Sequence, residues 1–113
     1  MLRQQIIQPS TSPFAAPVVM VRKADGKSYR FAVDYRILNA ATRKTFYILP
    51  NIHELLELAA GSGRLFSTFD MKQGFFQVNV HRDHRERTAF ATFLGLFEFL
   101  RMPFGLCGAP NTF

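Results

Sequence analysis

A chain of 113 residues, 48% hydrophobic and 19% charged, is long enough for one domain or part of one and too apolar to stay disordered. Fourteen Lys and Arg against eight Asp and Glu give a net charge of +6. That excess favours a polyanionic partner, although a basic solvated surface carries the same sum. The one cysteine, Cys107, excludes an internal disulfide and leaves any zinc site short of ligands, and no apolar run approaches a membrane span.

Thirteen Phe and no Trp point to a phenylalanine-built core. The start, Met1-Leu2-Arg3-Gln4-Gln5-Ile6-Ile7, is too short and polar for a signal peptide, so the expectation is an intracellular chain. Residues 1–7 have the character of last helical turns, stopped by the Pro9 to Pro13 loop. Residues 17–23 are β-branched and suit a buried strand, Asp25-Gly26 is a turn signal, and residues 29–34 alternate as a second strand. The pair predicts a β-hairpin with a basic tip formed by Arg22, Lys23, Lys27 and Arg30.

Residues 35–45 are polar and fit a short helix. A clearer helix follows Pro50, with Asn51 as cap and Glu54 completing a capping box. Ile52, Leu55, Leu56 and Ala59 form its apolar stripe, and Gly61-Ser62-Gly63 ends it. Residues 65–70 read as a buried strand ending on Asp70, and residues 75–80 as extended chain after Gly74. Residues 82–87 make a polar turn or a helical turn, residues 88–93 and 96–101 a second hairpin split by Gly95, and residues 103–110 a loop that enters a helix near Asn111. Strands and helices mixed without strict alternation predict an α+β fold.

Asp70 is the most informative residue. A carboxylate held at a strand end needs a cation, hydrogen bonds or open water. Magnesium, which takes hard oxygen ligands, satisfies that need, and so does a turn-capping role over residues 71–74, the commoner fate of an isolated Asp. Phe75 and Phe76 suit either a ring that excludes a sugar hydroxyl or simple core. Arg22, Lys23 and Arg30 suit a triphosphate or plain solvent. Asp34 and Arg36 are spaced for a structural salt bridge, and His53, His81 and His84 lack the further ligands of a metal site. No Walker loop and no nucleophile elbow occurs.

In order, these blocks match something specific. They are Ser10-Thr11-Ser12-Pro13-Phe14-Ala15-Ala16-Pro17-Val18-Val19, then Asp25-Gly26, then Arg30-Phe31-Ala32-Val33-Asp34-Tyr35-Arg36-Ile37-Leu38-Asn39, then Leu49-Pro50-Asn51-Ile52. Phe66-Ser67-Thr68-Phe69-Asp70-Met71-Lys72-Gln73-Gly74-Phe75-Phe76-Gln77 comes next, and Arg87-Thr88-Ala89-Phe90 and Phe97-Glu98-Phe99-Leu100-Arg101-Met102-Pro103-Phe104-Gly105-Leu106 complete the set. The series resembles the reverse transcriptases of gypsy-class LTR retrotransposon Pol polyproteins.

The resemblance implies the fingers and an incomplete palm of a right-hand polymerase. Residues 1–65 would be mainly fingers, 66–80 and 102–113 palm segments, and 81–101 a fingers hairpin, all within one partial domain truncated at its C-terminus. It implies Asp70 as the first catalytic, metal-binding aspartate, with the Met71 carbonyl as a further magnesium ligand. It implies Lys23 and Arg30 on the incoming phosphates, Phe75 as the gate against ribonucleotides, and Phe104 and Gly105 beside the nucleotide. Asp34 and Arg36 would lie near the template. The partners implied are an RNA or DNA template-primer, dNTP and the rest of the polyprotein, with no membrane, and the family acts in cytoplasmic virus-like particles. The second palm motif, Tyr-x-Asp-Asp, is not among the 113 residues. One carboxylate cannot hold two ions in register, so the isolated chain is expected to be inactive. The alternatives are a non-catalytic nucleic-acid-binding remnant of a retroelement and, less well matched, a phosphotransferase with Asp70 as nucleophile.

Overall fold

The computed structural model describes residues 1–43, 51–62 and 65–113. Its centre is a five-stranded sheet in the order β1-β5-β4-β2-β3. β2 (Ala16–Arg22) and β3 (Tyr29–Val33) pair antiparallel from Val18 opposite Val33 to Arg22 opposite Tyr29, the first predicted hairpin. Its turn closes on Asp25, whose carboxylate accepts from the Lys27 and Ser28 amides and from the Ser28 hydroxyl. Gly26 sits at φ +67°, where a side chain would be strained. These are local signals, and the sequence shows them.

β4 (Phe90–Thr92) and β5 (Gly95–Phe99) form the second hairpin, and β4 lies parallel to the start of β2. Phe90 therefore sits mid-sheet. Its ring, 1% exposed, lies 5.5 Å from Phe31 and 5.1 Å from Phe99, with Phe97 next at 6.1 Å. Ile6, Val33 and Tyr35 complete the buried cluster, so the phenylalanine-built core is real but small.

Tyr35 ties this core to the first helix. Its hydroxyl donates to the Thr88 carbonyl at 2.8 Å, and the Thr88 hydroxyl accepts from the Phe99 amide at 2.9 Å. Helix α1 (Arg36–Ala41) starts immediately after Tyr35, as the short helix expected there. Helix α2 (Ile52–Ser62) is capped by Asn51, whose side-chain oxygen accepts from the His53 amide at 3.0 Å. Gly63, expected among its stop residues, lies outside the described residues, as do residues 44 and 45.

Four expectations change. The strand expected at residues 17–23 forms as β2 but is not buried, with Val19, Met20 and Val21 exposed because no layer packs over that end of the hairpin among the described residues. Residues 1–7 are not the end of a helix: turns at residues 2–6 lead into β1 (Ile7–Pro9), which pairs with β5. Pro9 is tolerated there because β1 is an edge strand, where a missing amide breaks no ladder. Residues 65–70 form no strand and are exposed, Leu65 at 96% and Phe69 at 91%. No strand lies beside them among the described residues, so their backbone finds no ladder. Residues 75–80 begin as a 3₁₀ turn (Gly74–Gln77) and become extended only at Val78, where Met102 donates to the Val78 carbonyl and Val80 to the Leu100 carbonyl. A second 3₁₀ segment (Arg82–Thr88) and a four-residue helix α3 (Ala109–Thr112) complete the fold.

Candidate functional site

The basic tip of the β2–β3 hairpin is preserved. Val21, Arg22, Lys23, Ala24, Asp25 and Arg30 line a shallow recess of about 440 Å³. Strand pairing sets Arg30 opposite Val21, and Arg22 turns inward to donate through Nε to the Gly26 carbonyl at 2.8 Å. Lys23 and Arg30 thus share one end of a ribbon, as two cations on a phosphate require.

Asp34 and Arg36 form the salt bridge their spacing predicts. Nε and Nη2 of Arg36 reach the Asp34 carboxylate, the shortest contact at 2.6 Å, and the Arg36 amide donates to the same group. The Arg36 side chain remains 90% exposed, so the pair presents its guanidinium at the surface. Hydrogen bonds from Arg36 hold the Asp34 carboxyl below its usual range.

Phe75 and Phe104, 29 residues apart, meet with ring centroids 5.0 Å apart. Phe76 lies edge-on to Phe104 at 5.3 Å and Phe113 edge-on to Phe75 at 5.4 Å. Gly105 comes next in the chain at φ +93°, a left-handed turn that suits glycine. Two residues that sequence reasoning treats separately thus form one aromatic face. The residue that holds it closes the Arg30 to Asn39 block but has no role in the sequence reading: Asn39 donates to the Gly105 carbonyl at 2.7 Å and accepts from the Cys107 amide at 2.9 Å. An Asn inside a short helix, a poor helix former, is the available signal.

Asp70 and Met71 are exposed at the end of the irregular segment, before a turn in which Gln73 takes φ +54°. Asp70 lies outside the recess around Lys23 and Arg30. An exposed carboxylate beside a backbone carbonyl suits a hard, oxygen-seeking cation in donor chemistry. The donor number does not suffice, because among the described residues no three His, Cys, Asp or Glu side chains gather around a common point. Nor, among them, is any helix long and apolar enough to cross a membrane.

A family model described as "Reverse transcriptase (RNA-dependent DNA polymerase)" matches residues 21–113. The chain belongs to the reverse transcriptase family. Over its whole length it is 41% identical to the Pol polyprotein from transposon 297 of Drosophila melanogaster, of which it covers 11%. It is 42% identical to the enzymatic polyprotein of cauliflower mosaic virus (strain Strasbourg), of which it covers 17%. The chain therefore spans a small part of the curated relatives it matches. Its fold matches the crystal structure of the prototype foamy virus protease-reverse transcriptase with a TM-score of 0.77 at 27% identity, over 99% of this chain and 15% of that one. The foamy viral enzyme in complex with dsDNA matches with a TM-score of 0.76 at 25% identity, over 99% of this chain and 23% of that one. The mixed α/β layout is that of a reverse transcriptase, and the retroelement resemblance stands.

Proposed function

We propose that these residues are the fingers and part of the palm of an RNA-directed DNA polymerase that adds dNTPs to a primer 3′-end on an RNA or DNA template. The observation that supports this most directly is the meeting of Phe75 with Phe104 just past the Asp70 turn, since both are the positions that the family resemblance places at the nucleotide. Phe75 would crowd a ribose 2′-hydroxyl and leave deoxyribose room. Phe104 and Gly105 would flank the base. Lys23 and Arg30 would neutralise the triphosphate as a flexible point charge and a planar fork. Arg36, oriented by Asp34, would meet the template backbone at the exposed rim. The residues from 1 to 65 and 81 to 101 are assigned mainly to fingers, with 66–80 and 102–113 in the palm.

Asp70 and the Met71 carbonyl would give oxygen ligands to magnesium, and the remaining carboxylates must come from outside this set of residues. Isolated, the 113 residues are expected to extend no primer. Within a polymerase that contains them, Asp70→Asn should cut primer extension by about 10³-fold or more, because a lost metal ligand removes several kcal/mol of charge stabilisation. Primer extension under multiple turnover checks both. Extension by the isolated chain would overturn its expected inactivity, and full activity of the Asp70→Asn polymerase would overturn the role given to Asp70. The net charge of +6 also fits a non-catalytic nucleic-acid-binding remnant acting inside the cell. Salt-dependent binding to primer–template that survives Asp70→Asn, with no extension by any longer form, would favour that reading.

A further inference from the structure

Resting on the assignment of Phe75 and Phe104 to the nucleotide, we propose that Asn39 is the positioning residue for that ring pair, and through it for nucleotide selection. Asn39 is half-buried near the end of α1 and reaches 66 residues along the chain to the Gly105 carbonyl. Its Nδ2 donates there at 2.7 Å, and its Oδ1 accepts from the Cys107 amide at 2.9 Å. One planar amide thus satisfies an acceptor and a donor two residues apart, as a neighbouring strand would. Asp lacks the donor, and an apolar residue lacks both.

The clamp connects two fixed bodies. On one side, the Asn39 amide donates to the Tyr35 carbonyl at 2.7 Å, and Tyr35 is itself anchored to Thr88 in the core. On the other, Pro103 is fully buried and the Met102 amide donates to the Val78 carbonyl at 2.8 Å. Between Pro103 and the Asn39 clamp lies Phe104, half its surface exposed, resting on Phe75 and Phe76. Two anchors on either side of one aromatic residue decide where its ring stands. The left-handed turn at Gly105 makes that short passage geometrically possible. Without the clamp the 104–107 loop keeps Pro103 on one side and the packing of Leu106 on the core on the other, and the Phe104 ring loses the tie that holds it over Phe75.

The test uses a primer-extending polymerase that contains this chain, with Asn39→Ala, Asn39→Asp and Phe75→Val compared in parallel. Asn39→Ala should raise KM for dNTP about tenfold with kcat within about twofold, as expected when hydrogen bonds that position a site are lost. It should also narrow the preference for dNTP over rNTP, which a purely structural role would leave alone. Asn39→Asp keeps the acceptor for Cys107 but sets a carboxylate against the Gly105 carbonyl, so it should shift both quantities in the same direction. It serves as the deciding variant should Asn39→Ala fail to fold. Phe75→Val reports on the underlying assignment: unchanged sugar discrimination there removes the nucleotide site itself. If Phe75→Val relaxes discrimination while the Asn39 variants keep wild-type KM and selectivity, or lose kcat alone, the positioning role is overturned.

Discussion

Phe90 and Phe69 carry the same side chain in similar apolar stretches, yet one is 1% exposed and the other 91%. Phe90 lies on β4, which has β5 on one side and β2 on the other. Its backbone is laddered and its ring meets three other phenylalanines. Phe69 lies on a segment with no strand beside it among the described residues. Helix α2 behaves similarly: Ile52, Leu55 and Leu56 form the apolar stripe their spacing predicts, and all three are exposed, at 71%, 48% and 61%. Apolar patterning thus records what a segment can bury, and whether it does so depends on a partner.

The sharpest way to break this comparison is to truncate both rings. Phe90→Ala should cost about 3–5 kcal/mol, the transfer loss plus the cavity left in a filled core. Phe69→Ala should change stability by no more than about 0.5 kcal/mol, as for an exposed site. Urea unfolding of the two variants beside the parent chain measures both. A comparable loss at Phe69 would mean that residues 65–70 pack in solution, and the contrast would disappear.

A smaller effect sharpens how the core is tied to the site. Tyr35→Phe removes the hydroxyl that reaches Thr88 and should cost about 1 kcal/mol, since a buried carbonyl loses its partner. Burial raises the Tyr35 phenol well above its ordinary value. The folded state therefore resists ionisation that the unfolded chain undergoes near pH 10, so stability is intact below about pH 10 and falls as pH rises beyond it. Alkaline melts should show this fall in the parent chain and a weaker one in Tyr35→Phe. Equal slopes would place the phenol in water.

What the sequence reveals of this fold is what local chemistry decides. The β2–β3 turn is legible because Asp25 and Gly26 make it with their own side chain and backbone, and the α2 start because Asn51 caps it within two residues. The Asp34–Arg36 pair is legible for the same reason. β1 is not, because Ile7–Pro9 depends on residues 97–99, some 90 positions away, and nothing nearby signals the pairing. The Asn39 clamp is hidden by a comparable distance. Residues 65–70 mislead in the opposite sense: strand propensity is present and the neighbouring strand is not. At the candidate site, residue types and order pick out Phe75 and Phe104, but only the fold shows that they touch.

The smallest expected effect lies at the rim, where local chemistry acts between a half-buried carboxylate and an exposed guanidinium. Asp34 accepts three hydrogen bonds from Arg36 side-chain nitrogens and one from its backbone, and these hold its carboxyl below the ordinary value. A depressed carboxylate contributes stability that is present above its unfolded value near pH 4 and is lost as pH falls through the folded value. Asp34→Asn should therefore lower Tm slightly at pH 7, with the gap to the parent chain closing as the pH is taken below about 4. Asp25, depressed by its own bonds to Ser28 and Lys27, keeps part of the acid sensitivity in the variant. Added salt should shrink the gap at pH 7, since the Arg36 end is open to solvent. A gap that ignores both acid and salt would mean that Asp34 acts by shape at the β3–α1 junction, as Phe90 acts in the core, and the division between packed centre and charged rim would not hold.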